Sequence, residues 1–253
     1  DRPGEVGGAR GVNAIVAIAL NTFREAIRDR ILYLILAFAL VLIAVSHFVS
    51  LLTVGSEVKI VKDLGLSAIP FFGLLTAVFV GVSLVFKEIE RRTNYTLLAQ
   101  PVRRWQFVCG KYAGLSLVLG FSVVLTGAAL LVAVALKGES PFRLLRAIVL
   151  VFVELELIAA FAVLFSSFTN PILAAVGTVA TYVVGHMSWS FELLEKRMAG
   201  DIGKAMCRGL HAVIPNLDRL NVKASAVHGL ALPPGYFAAA LVYGLSYSVL
   251  IVI

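Results

Sequence analysis

Charged residues are scarce in this chain of 253 residues, in which Asp, Glu, Lys and Arg together make up 15% of the sequence. Soluble domains carry about 25% charged and about 45–50% apolar residues. Here 60% of the residues are hydrophobic, and the mean hydropathy is +0.94. The composition therefore excludes an ordinary soluble domain and is typical of an integral membrane protein.

Signals of nucleotide binding and of hydrolytic chemistry are also missing. A phosphate-binding loop requires the pattern Gly-x-x-x-x-Gly-Lys-Ser/Thr. Gly110 and Lys111 are followed by Tyr112 instead, and Trp105 stands where the first glycine belongs. No nucleophile–base pair of the protease or lipase type is visible in the sequence. We therefore expect this chain to bind no nucleotide or other cofactor and to have no catalytic residues.

Cysteine is rare, and the topology predicted below places Cys109 and Cys207 on opposite sides of the membrane. A disulfide between them is therefore not expected. Cys207 and His211 are four residues apart, on one face of a helix, and with Met206 they would suit Cu(I) or Zn(II). Because a strong site supplies three or four ligands, we predict an amphipathic helix without a metal and keep the three as weak candidates.

Six stretches are long and apolar enough, or nearly so, to cross a bilayer, which requires about 20 mostly apolar residues. The chain begins with Asp1 and ends while still apolar, so we expect both natural termini to lie outside this sequence. Residues 1–11 lack an apolar core, which predicts a disordered tail rather than a secretory leader, followed by one transmembrane domain over 12–253. The predicted spans are residues 31–53, 64–86, 112–136, 147–168, 171–190 and 236–253.

The net charge of +7 is spread over the flanks of these spans, which indicates anchoring to anionic lipid headgroups rather than to nucleic acid. With the N-terminus in the cytoplasm, the inner segments carry 11 Lys and Arg residues, five in 1–30 and six in 87–111. The short outer segments carry five, two in 54–63 and three in 137–146. We therefore predict a multi-pass membrane protein with its N-terminus in the cytoplasm. We expect the membrane to be the plasma (inner) membrane of a bacterium.

Residues 13–30 have the pattern of an amphipathic helix at the inner membrane surface. Apolar residues recur at spacings of three and four, which places them on one face, and polar residues fall on the other. Such a helix rests in the interface with its polar side in water; the alternative is a cytoplasmic extension of the first span. The apolar residues are Val16, Leu20, Phe23, Ile27 and Ile31, and the polar ones are Asn21, Arg24, Glu25 and Arg28.

Two connections between the spans carry turn and breaker residues. Asn170 and Pro171 predict a tight turn that makes spans four and five an antiparallel hairpin. The outer segment 191–235 is too polar to cross the membrane, too apolar for a free linker, and interrupted by prolines. We predict that it forms short helices that lie on the outer leaflet or dip into it.

Small residues recur at four-residue spacing inside two spans, which in lipid allows helix backbones to approach closely. The spacing predicts helix packing or a dimer seam. The two ridges are Gly73, Ala77 and Gly81, and Gly177, Thr181 and Gly185.

Glu154 and Glu156 lie inside the fourth predicted span, where a carboxylate is costly and indicates function. Two residues correspond to about 200° on a helix, so these side chains cannot both face one narrow cavity. His186, near the outer end of span five, is expected at the depth of Glu154. The three residues either line a path for a cationic or zwitterionic substrate or make buried hydrogen bonds to neighbouring helices.

Residues 87–111 form a polar and basic block between two apolar spans. Glu88 and Glu90 end the second span in water, Thr93 is suited to begin a short helix, and Pro101 stops it. A short helix with acidic residues before it and basic residues after it would fit a groove on a cytoplasmic protein. The alternative is a solvated loop with lipid anchors.

This block resembles the signature of the permeases of type-2 ABC transporters (ABC-2), which is Glu-x-x-x-x-Thr-x-x-x-Leu-Leu-x-x-Pro followed by Arg and Gly-Lys. Residues 18–33 are similar to the interfacial helix of that family, and residues 164–173 are similar to its fourth-to-fifth turn. The chain also resembles the subgroup of permeases linked to the maturation of multi-copper enzymes. The signature residues are Glu88, Thr93, Leu97, Leu98, Pro101, Arg104, Gly110 and Lys111.

The resemblance implies an all-α half-transporter with six transmembrane helices that dimerises with a second permease protomer and binds two copies of a cytoplasmic ABC ATPase. ATP and Mg²⁺ would be bound by that ATPase. In the family the interfacial helix, here with Arg24 and Arg28, and the block that includes Glu90 contact the ATPase. The outer segment before span six gates the exit.

Three functions remain open. The first is the permease of an ATP-driven exporter. The second is a mechanical transmitter that conveys ATPase motion to an external accessory protein through residues 191–235 without moving a substrate. The third is an intramembrane enzyme with Glu154 and Glu156 as acid and base, which their opposed directions disfavour. The block over residues 87–111 favours the first two, because an enzyme has no need of it.

Overall fold

The computed structural model describes residues 3–52, 57–90, 104–187, 215–230 and 233–252, and these residues form helices and turns without a β-strand. The all-α fold class is therefore confirmed for this part of the chain. A 3-10 helix (Leu217–Arg219) precedes α7. The α-helices are α1 (Pro3–Ile27), α2 (Arg30–Leu51), α3 (Glu57–Glu90), α4 (Arg104–Ala135), α5 (Phe142–Phe168), α6 (Pro171–His186), α7 (Lys223–His228) and α8 (Tyr236–Val252).

Within the described residues, the four helices α2 to α5 are long and apolar enough to cross a membrane. Helices α6 and α8 are also apolar but have 16 and 17 residues. At 1.5 Å per residue they are about 24 Å and about 26 Å long, against a hydrocarbon core of about 30 Å. The structure thus contains a multi-pass helical bundle, and the count of six spans stays a prediction.

The ends of two helices follow from local side-chain chemistry. The Asp29 carboxylate accepts a hydrogen bond from the Ile31 backbone N–H at 3.0 Å and begins α2. The Asn170 side chain accepts from the Leu173 backbone N–H at 2.9 Å, and Pro171 occupies the first turn of α6. The tight turn predicted at Asn170 is therefore confirmed, and α5 and α6 pack against each other as a hairpin.

Helix α5 is the centre of the bundle and packs against α3, α4, α6 and α8. Its residues from 153 to 163 are all buried. Gly73 and Gly81 of α3 are close to this helix: a Cβ atom on Gly73 would lie 2.3 Å from Leu155, and one on Gly81 would lie 3.4 Å from Ala162. The small-residue ridge predicted in span two is thus used for packing within this chain.

Helix α1 begins at Pro3, so the described part of the predicted disordered tail, residues 3–11, is helical instead. The physical reason is cooperativity, since extending an existing helix costs far less than starting one. Proline is well tolerated at the first helical position, where its missing N–H loses no hydrogen bond.

The face of α4 that packs against α1 contains two glycines, Gly110 and Gly114. A Cβ atom on Gly110 would lie 2.8 Å from Ile18, and one on Gly114 would lie 2.5 Å from Thr22. Val16 and Leu20, from the predicted apolar face, are 50% and 43% exposed instead. Helix α1 therefore has a packing face beside its exposed apolar face, and its position at a membrane surface stays a prediction.

The end of the bundle at which α2 finishes and α3 begins, here called the α2–α3 end, is tied by two ion pairs. Lys62 of α3 pairs with Glu139 of the α4–α5 connection. Lys137 of the same connection pairs with Glu57 of α3, with Nζ and Oε2 2.8 Å apart. These contacts hold the beginning of α3 against the connection that follows α4.

Candidate functional site

Glu154 of α5 is the centre of the candidate site. Its side chain is 3% exposed, and its Oε1 atom lies 3.4 Å from the Nε2 atom of His186, the last residue of α6. The prediction that His186 reaches the depth of Glu154 across the hairpin is therefore confirmed. On the other side of the imidazole, the Nδ1 atom lies 3.1 Å from the backbone oxygen of Tyr182, and the rings of Tyr182 and His186 have their centroids 4.5 Å apart.

Glu156 points away from this pair, towards α4. Its Oε1 atom accepts a hydrogen bond from the Ser116 hydroxyl at 2.8 Å, and its backbone oxygen accepts one from the Tyr112 hydroxyl at 3.3 Å. The two carboxylates therefore lie on different faces of α5, as the helical rotation predicts. They do not share a site in which one would act as acid and the other as base.

A cavity of about 420 Å³ lies beside Glu154, between α3, α5, α6 and the segment before α8. Most of its wall is apolar, from residues such as Leu42, Leu64 and Phe71. A cavity of this size is large enough for a small organic molecule. Its polar lining residues are Ser67, Glu154, Tyr182, His186, Asn221 and Lys223.

The segment over residues 215–223 covers one side of this cavity and is anchored in the bundle. Leu217 and Leu220 are completely buried, and Gly185 of α6 and Gly244 of α8 leave the space that they occupy. The segment contains the 3-10 helix and leads into α7, so the described part of the predicted outer segment forms short helices packed against the spans.

Lys223 joins this segment to α3 at the cavity. Its ammonium group lies 2.8 Å from Asp63 Oδ1 and donates a hydrogen bond to the Ser67 hydroxyl at 2.6 Å. This three-residue contact, here called the α3 latch, fixes the covering segment to the wall of the cavity.

The described residues include only some of the predicted ATPase-coupling residues. Glu88 and Glu90 lie in the last turns of α3, and Arg104 begins α4. Gly110 and Lys111 lie inside α4 rather than at its beginning, because the helix extends six residues further back. Arg24 of α1 and Arg28, which directly follows that helix, are exposed. The predicted coupling residues Thr93, Leu97, Leu98 and Pro101 lie outside the described residues.

The soft-ligand candidates Met206, Cys207 and His211 also lie outside the described residues. Within the described ranges, no three side chains of His, Cys, Asp or Glu come together to hold a metal ion.

Sequence reasoning did not find the polar partners of the two carboxylates. The sequence pattern places Ser116 and Tyr112 in span three and Tyr182 in span five, and it predicts no contact for them. Lys223 was one of several basic residues in a long outer segment. The signal for Tyr182 is its four-residue spacing from His186, which places both on one helix face. The Ser116 contact crosses between helices and leaves no such local signal.

The family model described as ABC-2 family transporter protein matches residues 16–200, which is most of the chain. This chain belongs to the ABC-2 family. The match covers α2 to α6 and residues 16–27 of α1, with the Glu154–His186 pair, and ends before the covering segment. No curated protein matches the chain.

Membership of the ABC-2 family makes this chain a membrane permease component of an ABC transporter. Proteins of the family are transport components that are not themselves catalytic, and they generally work with a cytoplasmic ATPase subunit. The family predicted from the coupling signature is therefore confirmed.

Proposed function

We infer that this ABC-2 protein is the permease subunit of an ATP-driven exporter. It forms a dimer with a second permease protomer and is driven by two copies of a cytoplasmic ATPase that bind ATP and Mg²⁺. Each protomer crosses the bacterial inner membrane six times, with its N-terminus in the cytoplasm and α1 at the inner surface.

The observation that carries this proposal is the reach of α3 and α4 beyond the bilayer. They have 34 and 32 residues, about 51 Å and about 48 Å, whereas the hydrocarbon core is about 30 Å thick. Helix α3 continues past its apolar part to Glu90, and α4 begins at Arg104. The ends of the two helices at Glu90 and Arg104 would therefore extend past the lipid, where a soluble ATPase can bind.

A mechanical transmitter is the second candidate, and the α3 latch favours it. Lys223 fixes the covering segment to Asp63, and α3 runs without interruption from Asp63 to Glu90. Motion of an ATPase at Glu90 would thus be passed to the far end of the bundle. The cavity beside Glu154 favours transport, since a transmitter has no need of a site for a small molecule. The opposed carboxylates of α5 argue against an intramembrane enzyme.

The closer likeness to permeases linked to multi-copper enzyme maturation is also a proposal. This likeness does not identify a substrate. Among the described residues, no cluster of His, Cys, Asp or Glu could hold a metal ion.

Capture of the protein from its native membrane in mild detergent, followed by mass spectrometry, tests the proposed function. We expect an ABC ATPase at one copy per permease chain. Glu90→Lys should lower its recovery and its stimulated turnover without changing membrane insertion, because charge reversal disturbs an electrostatic interface. Lys59→Glu, a charge reversal near the α2–α3 end, is the matched control.

Permease that purifies alone, even after crosslinking, would overturn the proposal. An external protein that is captured together with the ATPase would favour the transmitter over the exporter.

A further inference from the structure

The contact between Glu154 and His186 lacks a hydrogen-bond donor. The Tyr182 backbone oxygen can only accept, so the Nδ1 atom of His186, 3.1 Å away, carries a proton and donates it. In the neutral ring Nε2 is then an acceptor, and it faces the Glu154 Oε1 atom at 3.4 Å. This buried oxygen has no hydrogen-bond partner among the described residues. Two facing acceptors require a donor between them, either a proton or a cation with N–H bonds.

The charged groups around the pair favour a positive charge over a negative one. Lys223, the basic residue that lines the cavity, is bound to Asp63 and Ser67 in the α3 latch. Asp218, on the covering segment, adds a second negative charge to the surroundings of Glu154, and this charge favours either a proton on Glu154 or a bound cation. The potential at Glu154 is therefore negative, which attracts cations and repels anions.

The walls of the cavity favour an organic cation over a metal ion. Phe71 and Tyr182 contribute aromatic rings, whose faces attract ammonium groups, and most of the remaining wall is aliphatic. Glu154 and His186 supply two ligand groups, fewer than a tight metal site requires. The volume of about 420 Å³ is far larger than a bare ion needs and fits a molecule with an apolar body.

We propose that this cavity binds a primary ammonium group attached to an apolar body, with N–H groups donated to the Glu154 carboxylate and to His186 Nε2. The inference rests on the proposed function, since such a ligand would be the cargo or a bound lipid of a permease. A free amphiphilic amine and the headgroup of an ethanolamine phospholipid of the bilayer offer the same chemistry.

Binding of radiolabelled decylamine to the full chain in phosphatidylglycerol nanodiscs tests the site without the ATPase. We expect saturable binding to the wild type and a dissociation constant raised about tenfold to a hundredfold in Glu154→Gln, since charge-assisted hydrogen bonds are lost. Glu156→Gln is the matched control, because it removes the other buried carboxylate of α5 outside the cavity, and it should leave the dissociation constant within about twofold of the wild type. Decanol should not compete.

Two features of the variants separate lost binding from lost folding. The amide that Glu154→Gln introduces can donate to His186 Nε2, so the thermal midpoint of this variant without ligand should equal or exceed that of the wild type. Ala147→Leu, which narrows the cavity and leaves Glu154 in place, should also weaken decylamine binding. Absence of saturable binding, equal loss in Glu154→Gln and Glu156→Gln, or decanol competition equal to that of decylamine would overturn the proposal.

Native mass spectrometry of protein purified from its own membrane identifies the source of the ligand. Ethanolamine phospholipid that the wild type retains and Glu154→Gln loses assigns the site to a lipid. Decylamine binding without retained lipid assigns it to a free amine, and both results support the site. Amine binding without ATPase capture would overturn the proposed function alone, and ATPase capture without amine binding would overturn this inference alone.

Discussion

Two carboxylates of α5, two residues apart, have different surroundings. The Glu156 carboxylate accepts a hydrogen bond from the Ser116 hydroxyl at 2.8 Å, so it has a hydrogen-bond donor within the bundle. Glu154 faces an imidazole acceptor at the edge of a cavity. Buried polar groups with complete hydrogen bonds stabilise a unique packing, whereas incomplete ones indicate a missing ligand or proton. This difference supports the binding role that we propose for Glu154 and indicates a structural role for Glu156.

Replacement of Ser116 by alanine tests the structural role of Glu156. Ser116→Ala leaves a buried carboxylate oxygen without its donor, so we expect the free energy of unfolding to fall by about 1–3 kcal/mol. Ser122→Ala is the control on the same helix, because that hydroxyl donates to the Val118 backbone oxygen of its own helix. Denaturant titration of both variants in detergent measures the difference, and equal losses would contradict the assignment.

At the scale of elements, the seam between α1 and α4 depends on the absence of side chains. Gly110 and Gly114 are four residues apart, so they lie on one face of α4, and α1 approaches this face too closely for a Cβ atom. A small-xxx-small pair allows such an approach in lipid. The Gly-Lys of the coupling signature therefore also has a packing role, which connects α1 to the helix that follows the coupling block.

Alanine at Gly114 should weaken this seam. Its Cβ atom would lie 2.8 Å from the Ala19 backbone oxygen, which cannot move without shifting α1. We expect Gly114→Ala to cost about 1–3 kcal/mol of stability, measured as a lower thermal midpoint. Gly120→Ala is the control, because it gains the same helix propensity from alanine. Its Cβ atom would lie 3.6 Å from the nearest atom, which is an ordinary contact. This variant should therefore be as stable as the wild type. A midpoint in Gly114→Ala as high as in Gly120→Ala would show that the seam is loose.

The α3 latch predicts an effect of crosslinking on turnover. Ser67→Cys with Lys223→Cys, in a background without Cys109 and Cys207, joins the covering segment to α3 through a bifunctional thiosulfonate. If this segment moves during the cycle, crosslinking should lower ATP-driven turnover several-fold, and a reductant should restore it. The single variant Ser67→Cys treated with the same reagent is the control. Full turnover in the crosslinked protein would show that the segment stays in place.

The hairpin and the carboxylate directions were predictable because each depends on local geometry. Asn170 caps its own helix, and the rotation between Glu154 and Glu156 follows from 100° per residue. The depth of His186 required only counting along two antiparallel helices. The burial of Leu217 and the contact of Ser116 with Glu156 were not predictable, because they depend on which distant helices pack together. Residues 3–11 form the beginning of α1 although their composition predicts a tail, because composition alone does not show how far a helix extends.

At the scale of the whole molecule, the bundle has two different ends. The α2–α3 end has its short connections tied by ion pairs, Lys62 to Glu139 and Lys137 to Glu57. The opposite end has the long helical extensions of α3 and α4 and the helix α1. The first end is therefore tied by contacts within the chain, and the second carries the helix ends at which we propose that the ATPase binds.

Thiol labelling of intact cells tests which end faces the cytoplasm. Ser140→Cys, in the exposed α4–α5 connection, should react with a membrane-impermeant maleimide from outside. Asn21→Cys, exposed on α1, should react only after the membrane is permeabilised. Both variants require the replacement of Cys109 and Cys207. The reverse pattern would invert the topology, and with it the side on which the ATPase is expected.

Helix α3 contains an interior proline, Pro70, in the wall of the cavity. Proline leaves the carbonyl of residue 66 without its helical partner and lowers the resistance of the helix to bending at that point. The 34-residue helix thus consists of two rigid parts that can bend relative to each other at the proposed ligand site. Part of a displacement at Glu90 would therefore bend the helix and change the shape of the cavity, and the remainder would be passed on to Asp63 at the far end.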